Sequence, residues 1–249
     1  MARGRARRVR AIVLDRTKLS EQDLIITLLA DNGEELRAVA KGARKPGSRL
    51  ASRTELFCED DLLLAQGRTL DIVSEATTID AHAGIRGELE RVSAASAVCE
   101  VARHTCFAEV EDPFLYAICS RALRACEEAC DQAHLDVVVA AYVMKVLAHG
   151  GWRPELSACI LCGDDAISRV SVAAGGVLCA SCAKDVADVE EVDRTQVGWV
   201  SALIGLTFDA LLASSVDPMT AGWLVGFAHR WAATHLDGRL RAMEFYLSV

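Results

Sequence analysis

The sequence predicts an α+β chain of more than one domain: a small amino-terminal β domain, then an α-helical body interrupted by a four-cysteine segment. Three observations carry this. Short apolar runs separated by turn residues fill the first 80 positions. From about Ala81 the apolar period changes to that of a helix. Cys159, Cys162, Cys179 and Cys182 then stand in two matched C-x-x-C pairs.

The strand candidates are Val9–Leu14, Leu24–Leu29, Leu36–Lys41, Leu56–Ala65 and Leu70–Ala76. Asp31-Asn32-Gly33, between the second and third, is a hairpin signal, because Asn-Gly readily takes the positive φ that tight hairpins require. Five short strands without an early helical crossover fit a small closed barrel or a small sandwich, and periodicity does not decide between them. Leu89, Val92, Ala95, Val98 and Val101 open the first helix, and Leu115, Ile118, Ala122 and Cys126 the second, behind Asp112-Pro113 as N-cap and first turn. His134–Leu147 reads as a third helix ended by Gly150-Gly151. Thr195–Ala213 and Met219–Leu236 read as two more, the last behind Asp217-Pro218.

The net charge of −8 hides a steep split. Residues 1–53 hold 13 Lys or Arg against 6 Asp or Glu, and the remainder holds 14 against 29. One end therefore suits a polyanion while the rest stays solvated. Its cations form two clusters. Arg3, Arg5, Arg7, Arg8 and Arg10 lead into the first strand. Lys41, Arg44, Lys45, Arg49 and Arg53 follow the third, among Gly42, Pro46, Gly47 and Ser48, a loop composition. Such cations suit DNA phosphates, bound by charge and counterion release. A merely solubilising surface is the bland alternative, and it explains one cluster better than two. Phe57 is the only aromatic residue before position 100, which argues against base stacking as the source of affinity.

Each C-x-x-C pair can present two thiolates to one tetrahedral ion, and 16 residues between the pairs leave room for a hairpin over Arg169–Val172 and Val177-Leu178. Gly163 suits the tight knuckle turn. A redox dithiol would stand at a helix start in a βαβ setting, which is missing, and an iron–sulfur cluster matches this spacing less well than zinc does. The expectation is one structural Zn2+ held by all four cysteines, with no position open for an activated water. Cys58, Cys99, Cys106, Cys119, Cys126 and Cys130 read as small buried apolar residues rather than as a second metal site.

No apolar run is long enough for a membrane span, the best candidate, Val197–Val216, being broken by Asp209. Arginines at the amino end precede no apolar h-region, so a cytoplasmic protein without a membrane partner is expected. The chain contains no H-E-x-x-H, P-loop or G-x-S-x-G, so no enzymatic role is expected. A transcription regulator reading DNA through the cysteine segment is the alternative. Residues 155–193, however, hold only Arg169 and Lys184 against eight acids.

Several stretches resemble the RecO family of bacterial recombination mediators. They are Arg10-Ala11-Ile12-Val13-Leu14, Ser20–Leu29 (Ser-Glu-Gln-Asp-Leu-Ile-Ile-Thr-Leu-Leu), and Leu36–Pro46 (Leu-Arg-Ala-Val-Ala-Lys-Gly-Ala-Arg-Lys-Pro). Gly151-Trp152-Arg153-Pro154-Glu155-Leu156, leading into Cys159-x-x-Cys162-Gly163, is similar to the zinc-containing members, as is His235-Leu236-Asp237-Gly238-Arg239 to their last helix and tail. The resemblance implies an OB-fold over residues 1–80 as the DNA-binding domain, and an α-helical domain over 81–249 interrupted by a zinc ribbon at 155–190. It further implies binding of single- and double-stranded DNA, annealing of complementary strands, and work with RecR to load RecA onto strands coated by the single-stranded-DNA-binding protein, itself a partner. DNA repair and recombination close to the nucleoid is the implied setting.

Overall fold

The computed structural model describes residues 6–249, so Arg3 and Arg5 lie outside the described residues. The chain forms two compact units, Met1–Glu127 and Glu128–Val249. Among the described residues no helix is long and apolar enough to cross a membrane.

In the first unit β1 (Ala6–Lys18), β2 (Leu24–Ala30), β3 (Glu35–Ala40), β4 (Glu59–Ala65) and β5 (Asp71–Asp80) close a barrel in the order β1-β2-β3-β5-β4. Of the two arrangements open to the sequence, this is the barrel, with the five strands of an OB-fold. Closure depends on β1. Its first half pairs with β4 (Val9↔Leu62), its second half with β2 (Thr17↔Ile25), and a register shift between Val13 and Asp15 bends it between the two. A short parallel pairing of β3 with β5 (Ala38↔Asp71, Val39↔Ile72) completes the ring. Alternation along the strands sends Ala11, Val13, Ile26, Leu28, Leu62, Leu64 and Val73 into one interior cluster. A short helix, α1 (Arg49–Arg53), lies between β3 and β4 where the sequence reads as loop.

Two longer helices, α2 (Leu89–Thr105) and α3 (Pro113–Glu128), belong to this unit as far as Glu127 and are latched to the barrel. Arg103 pairs with Asp15 at 3.2 Å and Arg124 with Asp80 at 2.9 Å. Ser120 Oγ donates to Glu59 at 2.9 Å, and the Glu35 amide donates to the Phe107 carbonyl at 3.1 Å. Gly33 shows how close this packing is. It adopts φ +87°, and a Cβ there would stand 1.9 Å from the backbone oxygen of Asp112. The Asn-Gly turn is thus required both by the hairpin and by the approach of the α3 start.

The second unit is built on α4 (Gln132–His149), buried continuously from Val137 to Leu147. Around it and in the cysteine segment lie β6 (Ile167–Ser171), β7 (Gly176–Cys179), β8 (Val189–Glu191), α5 (Arg194–Gly205), α6 (Phe208–Leu212), α7 (Pro218–His235) and α8 (Arg241–Tyr246). Asp217 caps its helix as the sequence predicts, accepting from the Thr220 amide ahead of Pro218, while the capping box of Asp193 with Gln196 was not anticipated. The expected single helix over Thr195–Ala213 is broken. Leu206 is extended, and the Thr207 hydroxyl caps a new start by accepting from the Ala210 amide. The carbonyls freed at the end of α5 are not wasted, since buried Lys145 of α4 donates to those of Ile204 and Leu206. Trp152 stacks on His235 at 4.6 Å and accepts a hydrogen bond from Trp231 Nε1 at 2.8 Å, so two distant stretches singled out in the sequence meet.

One buried charge runs against the barrel core. Asp60 on β4 is fully buried opposite Thr78, and among the described residues neither of its oxygens finds a well-placed donor. Burial pushes its carboxyl up to about 6, opposed by Thr78 and the charge of Arg53. A folded-state value above the unfolded one stabilises the native state fully below about pH 4, and that contribution is lost as pH rises through about 6. Asp60→Asn is therefore expected to raise the stability of the chain at pH 7.5 by about 1–2 kcal/mol, with the gap closing below pH 4, as read from urea melts at both pH values. Gly33→Ala is expected to cost about 2–4 kcal/mol in the same assay.

Candidate nucleic-acid surface and metal centre

The two basic clusters differ in what surrounds them. On β1 the arginines meet acids presented by the adjoining strands. Arg7 pairs with Asp71 at 3.2 Å; Arg8 pairs with Asp61 at 3.3 Å and reaches Glu75 at 3.9 Å. The guanidinium of Arg10 grips buried Glu59 and stands over the Tyr116 ring at 6.0 Å. The β1–β4 register produces this, placing Arg10 opposite Asp61 and Ile12 opposite Glu59.

After β3 the setting is different. Lys41, Arg44, Lys45, Arg49 and Arg53 are all exposed. Arg44 donates to the carbonyls of Ser20 and Glu21 at 3.0 and 3.1 Å, and Arg53 to that of Ala76 at 2.8 Å. Carbonyls orient a guanidinium without cancelling its charge. Among the described residues, the side chains of Lys41, Lys45 and Arg49 make no hydrogen bond or ion pair. Asp23 shapes this loop. Its carboxylate accepts from the Gly42 amide at 2.7 Å where Gly42 turns at φ +68°, and the Arg44 amide donates to the Gln22 carbonyl at 3.0 Å. The Gly42 amide, then Ser20 and the charges of Lys41 and Lys45, hold the Asp23 carboxyl below its usual range. Nothing in the residue types alone singled Asp23 out; the signal was its place in the β1–β2 turn, across from a glycine that must turn.

The four cysteines converge. Cys159 and Cys162 sit on a knuckle closed by the Gly163 amide donating to the Cys159 carbonyl at 2.8 Å, with Gly163 at φ +77°. Cys179 ends β7, and the Cys182 amide points at its sulfur at 3.4 Å. The Ile160 amide donates to the Val177 carbonyl at 3.0 Å, tying the first knuckle to β7. The hairpin β6–β7 is the expected one, while β8, pairing on the far side of β6, was not foreseen. The four sulfurs lie within 4.8 Å of one another, and Cys162 and Cys179 are 3.8 Å apart. A disulfide would bring two of them to about 2.05 Å. A tetrahedron with metal–sulfur distances of about 2.3 Å has edges of about 3.8 Å, so this group can hold a metal ion. Backbone amides, that of Cys179 first, hold the Cys159 thiol down to about 6, whereas hydrogen bonding to the sulfurs of Cys162 and Cys179 keeps the Cys182 proton on up to about 12. Crowded thiols retain protons that a bound cation displaces.

Among the other cysteines, Cys58, Cys99, Cys106, Cys119 and Cys126 are buried, and burial pushes the thiols of Cys106 and Cys126 up to about 12. Cys130 departs from expectation: it is exposed, because it falls in the turn before α4 rather than within a helix. For the basic loop, Asp23→Ala is expected to speed amide hydrogen exchange at Gly42 by roughly tenfold or more while protection of the barrel strands persists, since only the loop anchor is lost.

The chain matches the family description "Recombination protein O N terminal" over residues 5–82 and "Recombination protein O C terminal" over residues 86–244. It is 34% identical over 236 residues to DNA repair protein RecO of Bifidobacterium longum subsp. infantis, covering 94% of this chain and 95% of that protein. The namesake of Bifidobacterium adolescentis is 37% identical over 240 residues, with 94% and 96% covered. That of Roseiflexus sp. is 37% identical over 184 residues, with 73% and 64% covered. With both halves matched, the chain belongs to the RecO family of DNA repair proteins.

Proposed function

We propose that this chain is a non-catalytic recombination mediator of DNA repair. In this reading it binds single- and double-stranded DNA through a barrel domain over residues 1–80 and anneals complementary strands. With RecR it helps load RecA onto strands coated by the single-stranded-DNA-binding protein. The helical domain over residues 81–249, interrupted by a zinc ribbon at 155–190, forms the rest. The setting is cytoplasmic, close to the nucleoid. The observation that carries the reading is the loop after β3, where Lys41, Arg44, Lys45 and Arg49 are exposed without a carboxylate at ion-pair distance among the described residues, Arg44 being oriented by backbone carbonyls. Such cations exchange mobile counterions for phosphates, and the release of those ions drives binding. Arg7, Arg8 and Arg10 stand among carboxylates that already neutralise them. They contribute less to that exchange.

Zinc suits the cysteine group best, because four thiolates in a closed tetrahedral shell are the donor set of a structural zinc site. When bound, the ion crosslinks two knuckles of a segment that buries little apolar surface. Cys159, Cys162, Cys179 and Cys182 hold it, and the knuckle amides of Gly163 and Cys182 fix the turns.

Phosphate neutralisation by about five cations gives a log–log salt slope near −3.5 for single strands, at about −0.7 per contact. Replacing Lys41, Arg44 and Lys45 together by alanine is expected to flatten the slope by about two units and to weaken binding alike for every sequence. An unchanged slope removes the loop from the DNA site. Cys179→Ser is expected to lose the tightly held zinc that survives dialysis against a mild chelator and to lower the melting temperature, as elemental analysis and calorimetry record. A variant that keeps both counts against the ribbon.

A further inference from the structure

At the turn before α4, Cys130, Asp131 and His134 bring a sulfur, a carboxylate and an imidazole to one point, apart from the ribbon. Their ligand atoms lie within 4.8 Å of one another. Cys130 Sγ is 3.3 Å from His134 Nδ1 and 3.6 Å from Asp131 Oδ2, and His134 Nδ1 is 2.7 Å from Asp131 Oδ1. We infer that these three side chains form a second site for a divalent, borderline-soft cation such as Zn2+, with its remaining coordination open to water.

The helix start builds the arrangement. Asp131 is the N-cap of α4 and accepts from the His134 amide at 2.9 Å, which fixes its carboxylate one turn below the imidazole. Cys130, just before the N-cap, brings its sulfur to 3.3 Å from Nδ1 of the same imidazole. The decisive contact is on the ring's other side, where His134 Nε2 stands 3.1 Å from the Ser214 carbonyl oxygen. A carbonyl only accepts, so Nε2 carries the proton. In the neutral ring Nδ1 is then left with a lone pair aimed toward the thiol and the carboxylate. A ligating histidine commonly has this second-shell partner, which sets both tautomer and ring orientation. A carboxylate and a thiol meet at one nitrogen here, and a cation that displaces the thiol proton would be shared by all three.

The donor types narrow the ion. Sulfur and imidazole favour zinc and its neighbours over magnesium or calcium, which want oxygen alone. Cys130 is exposed, and the side chain of Asp131 is 55% exposed against 13% for His134, so a cation enters from solvent onto a half-buried, oriented ring. With three protein donors rather than four, this ion exchanges more readily than one in the ribbon.

The test uses the full chain. Zinc is titrated against a chromophoric chelator, and alkylation of Cys130 by iodoacetamide is followed by peptide mapping. Wild type is expected to bind one equivalent more than either Cys130→Ser or His134→Gln, whatever the ribbon holds. Zinc is expected to slow alkylation of Cys130 at least about tenfold, and Asp131→Asn, which keeps the N-cap, is expected to weaken the extra equivalent by a similar factor. Equal stoichiometry in wild type and Cys130→Ser, or alkylation indifferent to zinc, overturns the site and leaves a hydrogen-bonded thiol–imidazole pair. Loss of ribbon zinc in the Cys179→Ser variant does not touch this difference, so the two sites fail separately.

Discussion

Ion pairing across the β1–β4–β5 face determines what the amino-terminal unit offers to a polyanion. A strand rich in arginine and two strands rich in acid are brought side by side by closure of the barrel. Arg7, Arg8 and Arg10 thereby find Asp71, Asp61, Glu75 and Glu59. The exposed pairs of Arg7 and Arg8 contribute little to stability, whereas Arg10 meets a buried carboxylate, and all three change which charges remain available at long range. The loop after β3 escapes because its neighbour is the β1–β2 turn, which supplies carbonyls and a single carboxylate, Asp23, whose nearest engagement is the Gly42 amide. The same closure that builds the core thus separates neutralised cations from available ones.

In the second unit two different forces act in segments that share no core chemistry. The helices pack around α4 by burial of a continuous apolar stretch, and the caps at Asp131, Asp193 and Asp217 set where each helix begins. The cysteine segment has only a small cluster of its own, Cys159, Leu178 and Cys179 with a few half-buried neighbours. In a segment with that little apolar burial, an ion held by the four converging sulfurs would add the crosslink that hydrophobic contacts do not supply.

The sequence was most legible where one local rule acts. Asp31-Asn32-Gly33, Asp217-Pro218 and the C-x-x-C spacing each predicted the geometry found, since hairpin turns, helix caps and metal knuckles need particular residues at fixed offsets. Closure as a barrel rather than a sandwich was implied by the family resemblance but not by periodicity, because it rests on the bend in β1 and on a two-residue parallel pairing of β3 with β5. The break at Leu206 was hidden by apolar periodicity that runs through it, and only the Thr207 cap reveals it afterwards. For the basic surface, the sequence gives the cations and the acids but not their pairing, which depends on strand register. Cys130 was read as a packing residue because the helix boundary before α4 could not be placed to the residue.

In the proposed DNA-binding role, charge available for phosphate lies in the loop after β3 and not among the paired arginines of β1. Its most direct measurement is the salt dependence of single-strand binding by a chain from which both members of two pairs are removed, Arg7 with Asp71 and Arg8 with Asp61, so that net charge is unchanged. A log–log slope within about half a unit of wild type is expected, since those arginines release few counterions. A slope flattened by about one unit or more, toward the roughly 1.4 that two phosphate-bound arginines supply, would contradict it and return the DNA surface to β1.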